Sequence, residues 1–338
     1  MSYLYKLTFF TIIIIFSQII SAYCLEKEIK LSGNTMGTTY HITAYTPLDL
    51  DPTILKKKVA IQLKMINKSM STFLIKSEIS KFNRLTNTKT MFHASADFYS
   101  VMLTAKNIYN VTDGAWDGTV NPLVALWGFK KNTAQLSIPS LDKINNTLSY
   151  IGFNNIQFKG QRVLSKKKPF VTVDLASIAK GYGVDKITEL LLQNKIKNCM
   201  VEIGGEVACR GTKQNKKPWK VGINFPSINA GINKIYKVVR LSNMAMATSG
   251  NYRNFFKLNG KLYSHIINPK TGFPVDNNIV SVSVTAKSCA MADGLATAII
   301  ILGYKKGIKV INNIENTECL IIIQDKEGVL NNYVSNGF

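Results

Sequence analysis

The stretch Val173-Asp-Leu-Ala-Ser-Ile-Ala-Lys-Gly-Tyr-Gly-Val184 opens the longest helical pattern in the sequence and decides the expected fold class. Apolar residues recur at helical spacing from Asp174 to Lys197, which predicts a helix with one buried face. The following apolar run, Met200 to Cys209, predicts a buried strand interrupted by Gly204-Gly205. A long helix followed directly by a core strand indicates a protein that mixes helices with sheet.

Further elements lie on both sides of this pair without a regular alternation of strand and helix. Helices are predicted over Pro52–Met70, Ser95–Thr112, Ser288–Leu302 and Tyr304–Asn313. Strands are predicted over Trp219–Asn224, Tyr236–Leu241, Lys261–Ile267, Val280–Ala286 and Glu318–Gln324, and a hairpin over 26–46 with its turn at Ser32-Gly33-Asn34. The polar stretch 130–168 predicts loops, a short helix and hairpin strands. Because strands cluster between helices, we expect an α+β fold with antiparallel sheets packed by helices.

Composition excludes several classes of protein. Of the 338 residues 46 % are hydrophobic and 18 % are charged, which is typical of a folded globular protein and not of a disordered chain or a disulfide knot. The net charge is +22, but only five of the 42 basic residues are arginine. A lysine-rich surface is a weaker sign of base recognition than clustered arginine, so we expect no nucleic-acid partner. The positive field would instead attract anionic substrates.

The N-terminus reads as a targeting segment. Lys6 precedes an apolar run from Leu7 to Ile20, and the small residues Ser21 and Ala22 follow. Three fates stay open: cleavage near residues 22–24, lipidation of Cys24, or an uncleaved membrane anchor. We therefore assign residues 1–24 to a signal peptide or anchor and residues 25–338 to a single folded domain. Each fate places the folded part outside the cytoplasm.

The five cysteines do not predict a metal site. No pair has the CxxC spacing of a zinc site. Cys199, Cys209 and Cys289 lie in apolar runs, where cysteine usually acts as a small buried apolar residue. A disulfide stays open at this stage.

Two helices and one turn carry candidate chemistry. Asp174 stands where a helix N-cap would lie, and the N–H groups of the next turn with Lys180 suit a diphosphate, although a capped helix with a surface lysine fits equally well. Asp293 and Thr297 are four residues apart on a predicted helix, so they share one face and offer hard oxygen ligands that suit Mg²⁺. His265 precedes the turn at 268–272 and could accept a proton from a hydroxyl nucleophile, or could be a structural histidine.

Five segments are too specific in composition for a scaffold alone: 33–40, 70–79, 114–129, 173–184, and a group running from 247–252 through 264–274 to 290–297. Together they resemble the ApbE family of FAD:protein FMN transferases, over nearly all of the chain after the targeting segment. The resemblance implies a single α+β catalytic domain with the flavin in a cleft between substructures. It also implies a bacterial enzyme on the periplasmic side of the inner membrane. Such an enzyme uses Mg²⁺, takes FAD as substrate, transfers FMN to a Thr or Ser hydroxyl of a target protein, and releases AMP.

The resemblance also assigns residues. Those that match the flavin and ribityl pocket are Met36, Phe73, Ala115, Trp116, Asp117 and Ile267. Asp174 and Lys180 match contacts to the flavin nucleotide, and Ser177, Asp293 and Thr297 match the metal ligands. Ser177 stands where the family has Ala or Ser, so its ligand could be the backbone carbonyl. Phe73 replaces a frequent Tyr and Trp116 replaces a more usual Phe.

Two other functions remain open from the sequence. With water as nucleophile the same site would be an FAD diphosphatase that yields FMN and AMP, and without catalysis it would be a flavin-binding protein. For the transferase, the resemblance suggests as acceptors the subunits of sodium-pumping or related redox complexes, and attachment to the inner membrane through the N-terminus.

Overall fold

The computed structural model describes residues 26–129, 137–213, 216–227, 234–251, 255–258 and 261–338. The helices within these ranges are α1 (Pro52–Met70), α2 (Glu78–Asn83), α3 (Ala96–Val111), α4 (Asn121–Leu126), α5 (Leu141–Leu148), α6 (Ala176–Gln193), α7 (Cys289–Leu302) and α8 (Tyr304–Asn312). The strands are β1 (Glu26–Thr35), β2 (Thr38–Pro47), β3 (Phe92–His93), β4 (Ile156–Phe158), β5 (Val163–Lys166), β6 (Asn198–Ile203), β7 (Glu206–Arg210), β8 (Trp219–Asn224), β9 (Ile235–Leu241), β10 (Ala245–Gly250), β11 (Phe255–Leu258), β12 (Lys261–Ser264), β13 (Ile279–Ala286), β14 (Glu318–Gln324) and β15 (Leu330–Val334).

The main sheet confirms the α+β prediction. It has eight strands in the order β1-β2-β6-β7-β10-β13-β14-β15. Each neighbouring pair is antiparallel. Three small sheets, β3-β5-β4, β8-β9 and β11-β12, lie outside it. The antiparallel order follows from hairpins between strands that are close in sequence, such as β6 and β7.

Two helices pack on the main sheet and position the chemistry. Ile187 and Leu191 of α6 join one core cluster, and Leu295 and Ile299 of α7 join another. At Gly181 of α6 the two helices touch through their backbones, because a Cβ there would lie 2.5 Å from the carbonyl oxygen of Cys289. Only glycine permits this approach.

Asp185 of α6 fixes the N-terminus of α7. Its carboxylate accepts from the backbone N–H of Cys289 at 2.8 Å and of Ala290 at 3.0 Å, and from the hydroxyl of Ser288 at 2.8 Å. The two backbone N–H groups would otherwise be unsatisfied donors of the first helical turn. The bonds lock α7, which carries Asp293, against α6, which carries Lys180.

The predicted turn at Ser32-Gly33-Asn34 is wrong. β1 runs through these residues, and Gly33 pairs with Tyr40 across the hairpin. A Cβ on Gly33 would lie 2.7 Å from the Tyr40 ring, so the glycine makes room for an aromatic ring and not for a turn. The hairpin turns at Met36 and Gly37, with φ of 49° and 74°. Both residues therefore adopt the left-handed backbone of a type I′ turn, which presents Met36 at the hairpin tip.

Other boundaries differ from the sequence prediction. The long helix is the shorter α6, Ala176–Gln193, and its N-cap is Leu175, not Asp174. The Asp174 side chain still accepts from the N–H of Ala176 at 2.9 Å, so it satisfies a first-turn donor from one residue further out. The predicted strand 261–267 ends at Ser264, and neither β10 nor β15 was predicted.

The remaining sequence predictions divide between confirmed and untested. Ser95 and Ser288 are the N-caps of α3 and α7, and β8 and β14 have the predicted bounds. In the described ranges Cys199, Cys209, Cys289 and Cys319 are buried and free. The targeting segment and residues 130–136 lie outside the described residues. No helix in the described part of the chain has the length and apolar character needed to cross a bilayer.

Candidate active site

Two cavities meet at Lys180, one turn into helix α6. The first cavity measures about 540 Å³ and lies between the β1–β2 hairpin tip, the end of α1 and the start of α6; its lining includes Met36, Phe73, Asp174 and Lys180. The second cavity measures about 520 Å³ and lies over the β6–β7 turn and strands β8 and β10; its lining includes Lys180, Glu206 and His265. The single lysine thus borders both spaces.

The first cavity combines apolar walls with a polar end. Met36, Ile66, Met70 and Ala179 supply the apolar surface, and Asp174 and Lys180 supply the charges. Phe73 is 94 % exposed at the rim, which is unusual for a large apolar ring. A flat apolar ring with an anionic tail matches this arrangement. The structure therefore brings four of the sequence-predicted residues together: Met36, Phe73, Asp174 and Lys180.

Four other predicted pocket residues lie in the packed interior and line neither cavity. Ala115, Trp116 and Ile267 are all buried, and Asp117 is 7 % exposed. The Asp117 carboxylate accepts from the N–H and hydroxyl of Thr119 at 2.8 and 2.6 Å and from the N–H of Phe153 at 3.1 Å. Burial raises the pKa of Asp117, and these hydrogen bonds lower it. Its contacts in this structure are therefore with its own loop and with Phe153.

Trp116 links that interior to helix α6. Its indole N–H donates to the hydroxyl oxygen of Ser177 at 2.9 Å. The hydroxyl of Ser177 is therefore already engaged as an acceptor. If Ser177 binds a cation, the backbone carbonyl is the better candidate.

Asp293 and Thr297 share one face of α7, as their spacing predicts. Asp293 is 3 % exposed and its Oδ2 accepts from the backbone N–H of Gly181 at 3.2 Å. In an α-helix this N–H is the partner of the Ser177 carbonyl, so Asp293 competes for the donor and leaves that carbonyl freer to bind another group. Thr297 exchanges a hydrogen bond with the hydroxyl of Ser249 at 3.0 Å.

Lys180 pairs with a carboxylate that the sequence analysis missed. Its Nζ lies 2.6 Å from Oε1 of Glu206, the first residue of β7. The other oxygen, Oε2, is buried and has no hydrogen-bond partner in the described residues. An acidic residue at the start of an otherwise apolar strand, directly after Gly204-Gly205, was the signal available in the sequence.

With both carboxylates ionised, the cluster of Asp293, Glu206 and Lys180 has one more negative than positive charge. Burial raises the pKa of Asp293, while Lys180 lowers it. Burial and the nearby Asp293 raise the pKa of Glu206, while Lys180 lowers it. The two carboxylates raise the pKa of Lys180 against the effect of burial, so the lysine stays charged. Two buried carboxylates that face one ammonium group favour a further cation or proton.

His265 lies in the second cavity with Lys180. Its ring meets the Phe129 ring edge-on, with centroids 6.5 Å apart. A group that can accept a proton therefore lines the same cavity as Lys180. His41, in contrast, is bonded to Glu202 at 2.7 Å on the exposed side of β2.

No three His, Cys, Asp or Glu side chains converge on one point within the described ranges. The donors at the α6–α7 crossing are instead one carboxylate, one hydroxyl and one carbonyl. Such a mixed oxygen set suits Mg²⁺, which keeps several waters and takes phosphate oxygens from its substrate. The residues present therefore fit this cation.

Comparisons with known proteins identify the family of this chain. The sequence model of the ApbE family matches residues 36–321. The chain is 40 % identical to the FAD:protein FMN transferase of Haemophilus influenzae over 89 % of this chain and 88 % of that protein. Its structure resembles the flavin transferase ApbE from Vibrio cholerae, with a TM-score of 0.81 and 35 % identity over 93 % of this chain and 98 % of that one. It also resembles the apo flavinyl transferase ApbE of Pseudomonas stutzeri, with a TM-score of 0.82 and 29 % identity over 93 % and 96 % of the two chains.

Proposed function

The chain belongs to the ApbE family and transfers FMN from FAD to a target protein, and we propose that this transfer takes place at Lys180, where the two cavities meet. The acceptor is a Thr or Ser hydroxyl, and AMP leaves. The observation that carries the proposal is that the charged side chain of Lys180 borders both the cavity of Met36 and Phe73 and the cavity of His265. FAD in the first cavity and an acceptor in the second can therefore meet at the diphosphate of FAD.

The first cavity would hold the flavin ring against Met36 and Phe73. The diphosphate then lies at Lys180 and the start of α6, where the helix dipole and the ammonium group favour negative charge. At this end of the cavity the Asp174 carboxylate accepts a hydrogen bond from the N–H of Ala176. Ala115, Trp116, Asp117 and Ile267 stay predicted flavin contacts, and in this structure they pack behind the site.

Asp293, Thr297 and the Ser177 carbonyl would hold Mg²⁺ at the α6–α7 crossing. The bound cation would neutralise diphosphate charge as bonds to phosphorus change. The fit comes from the oxygen donors, the excess negative charge of the cluster and the engaged hydroxyl of Ser177. Gly181 lets the backbones of the two helices that carry these donors lie in direct contact.

His265 acts as the general base in this scheme. The imidazole takes the proton of the acceptor hydroxyl, and the hydroxyl oxygen attacks the phosphorus of the FMN half. The bond from that phosphorus to the bridging oxygen breaks, and AMP leaves with the electron pair. Lys180 donates to the phosphate oxygens throughout and offsets their charge.

The setting of the reaction follows from the targeting segment. We place the folded chain on the periplasmic side of a bacterial inner membrane, attached through its N-terminus or released by cleavage. The acceptors would be extracytoplasmic redox proteins, with subunits of sodium-pumping complexes as the first candidates.

The test is incubation with FAD, Mg²⁺ and a candidate acceptor domain, with and without EDTA. Transfer gives in-gel flavin fluorescence on the acceptor, one AMP per FMN transferred, and no signal in EDTA or on an acceptor whose Thr or Ser is replaced by Ala. Free FMN and AMP without labelled acceptor would identify a diphosphatase. Bound, unchanged FAD would identify a passive flavin-binding protein.

A further inference from the structure

We propose that Glu206 is a positioning residue, whose carboxylate binds the Lys180 ammonium group as its ion-pair partner and so keeps Asp293 available to a divalent cation. The inference rests on the proposed function, since it assumes that Asp293 binds the cation. It adds a division of roles between two buried carboxylates around one lysine. Glu206 neutralises the lysine and Asp293 serves the cation.

The sheet sets the position of Glu206. The residue opens β7 and pairs with Ile203 of β6 across the turn at Gly204-Gly205. Its side chain is 4 % exposed, and Oε1 lies 2.6 Å from Lys180 Nζ. A carboxylate held by a hairpin backbone and by burial has little freedom to follow the lysine. The ion pair therefore forms because the Lys180 side chain extends to the Glu206 carboxylate.

The Lys180 side chain extends toward Glu206 across the β6–β7 turn. A Cβ on Gly204 would lie 3.2 Å from Cδ of Lys180, so the lysine stem runs closely over the backbone of the turn. Gly204 also has a φ of 59°, which disfavours a side chain at that position. Because Gly204 has no side chain, the aliphatic part of Lys180 can pass over the turn and reach the Glu206 carboxylate.

The free oxygen of Glu206 indicates a role beyond folding. Oε2 is buried without a hydrogen-bond partner in the described residues, although it belongs to a group in an ion pair. An apolar side chain would fill such a place at lower cost than a half-satisfied carboxylate. The negative charge at residue 206 is therefore explained by what it does to Lys180.

Loss of that charge would leave Asp293 as the nearest buried counter-charge for the lysine. An ammonium group paired with Asp293 would compete with the divalent cation for the same oxygens. With Glu206 in place, the lysine is neutralised on the β7 side and still borders both cavities for the diphosphate.

The experiment measures Mn²⁺ binding, as a probe for Mg²⁺, to the flavin-free protein by electron paramagnetic resonance. The variants are Glu206→Gln, Lys180→Met, the double variant and Asp293→Asn, with melting temperatures to verify folding. Glu206→Gln should weaken Mn²⁺ binding about tenfold, as loss of a residue that orients a ligand commonly does. In the Lys180→Met background the same change should alter affinity no more than about twofold, since no ammonium group remains to be moved.

Glu202→Gln is the matched control. Glu202 lines the same cavity but bonds to His41 and to the N–H of Gly205, so its charge is lost without freeing Lys180. Its Mn²⁺ affinity should equal that of the wild type.

An unchanged affinity in folded Glu206→Gln would overturn the inference. The inference would also be overturned if Glu206→Gln lowered Mn²⁺ affinity equally in the wild type and in the Lys180→Met variant, because Glu206 would then act on the cation directly. If Asp293→Asn binds Mn²⁺ as tightly as the wild type, the proposed metal site fails and the inference fails with it. If Asp293→Asn alone loses binding, the metal site stands and only the role of Glu206 is refuted.

Discussion

Asp293 allows a clean separation of fold from metal binding at the scale of one residue. Its Oδ2 accepts the Gly181 N–H, a contact that an Asn oxygen can keep. Asp293→Asn should therefore fold normally but lower Mg²⁺-dependent transfer by about 10²-fold or more, since a charged ligand to the cation contributes several kcal/mol. Transfer rates over a Mg²⁺ titration, with circular dichroism as the folding control, check this. Wild-type turnover at saturating Mg²⁺ would end the metal assignment.

His265 can be tested as a base separately from its place in the structure. His265→Ala should lower transfer by about 10² to 10⁴-fold, the usual range for a lost general base, while FAD affinity changes little. FAD binding, melting temperature and transfer rate are measured on the same protein. A variant that no longer binds FAD would show that His265 is a pocket residue instead.

Lys166 gives a prediction about pH and stability. It is 3 % exposed and donates to the carbonyls of Asn83 and Leu85 at 3.1 and 2.9 Å. Burial lowers its pKa to about 8 from 10.5. Between these values the unfolded chain holds a proton that the folded chain has released, so the free energy of unfolding rises with pH in this window.

The melting temperature of the wild type, relative to Lys166→Met, should therefore increase from pH 7.5 to 10.5. Lys57 is exposed on α1 and serves as the matched control. The melting temperature of the wild type relative to Lys57→Met should stay constant over the same pH range. A wild-type advantage that shrinks as pH rises would contradict the assignment of a buried, easily deprotonated lysine.

At the scale of elements, the cap of α7 is a stability device that serves the site. Asp185→Ala removes three acceptor contacts from the start of this helix and should lower the free energy of unfolding by about 1–3 kcal/mol, with Asp185→Asn in between. Urea unfolding of both variants measures this. Equal stability of Asp185→Ala and wild type would show that other contacts set the start of α7.

Element prediction from the sequence succeeded where periodicity was strong and failed where the neighbours impose the structure. The predicted helix Pro52–Met70 is α1 residue for residue, since its apolar stripe is long and capped. β10, Ala-Met-Ala-Thr-Ser-Gly, has small residues with weak strand preference and forms because β7 and β13 flank it. β15 is an exposed edge strand with two asparagines, so it shows no alternation to detect.

At the scale of the whole molecule, the sequence anticipated the fold class and part of the site. Met36, Phe73, Asp174 and Lys180 are neighbours in space, but the shared cavity wall at Lys180 depends on where α6 crosses the β6–β7 turn. Glu206 was missed for the same reason: its partner is 26 residues away in sequence (206 minus 180), and only the sheet brings the two together.

The N-terminal segment supports the last prediction, which concerns the whole chain. β1 is an edge strand that begins at Glu26, where its first pair is Pro47, and Asn198 donates to the Glu26 carboxylate at 3.2 Å. Residue 26 thus already takes part in the main sheet. If residues 1–24 are a targeting segment, a chain that begins at Leu25 should melt at the same temperature as the processed protein and bind FAD equally well. The full-length chain, made in a bacterium, should be recovered outside the cytoplasm with a new N-terminus near residues 22–24 or a lipid on Cys24, unless it is retained as an anchored protein in the membrane fraction. Cell fractionation followed by mass spectrometry of the N-terminal peptide distinguishes cleavage, lipidation of Cys24 and retention as a membrane anchor. Soluble cytosolic protein that still carries Met1 would refute export, and it would also remove the periplasmic acceptors from consideration, because enzyme and acceptor must share a compartment for the transfer to occur.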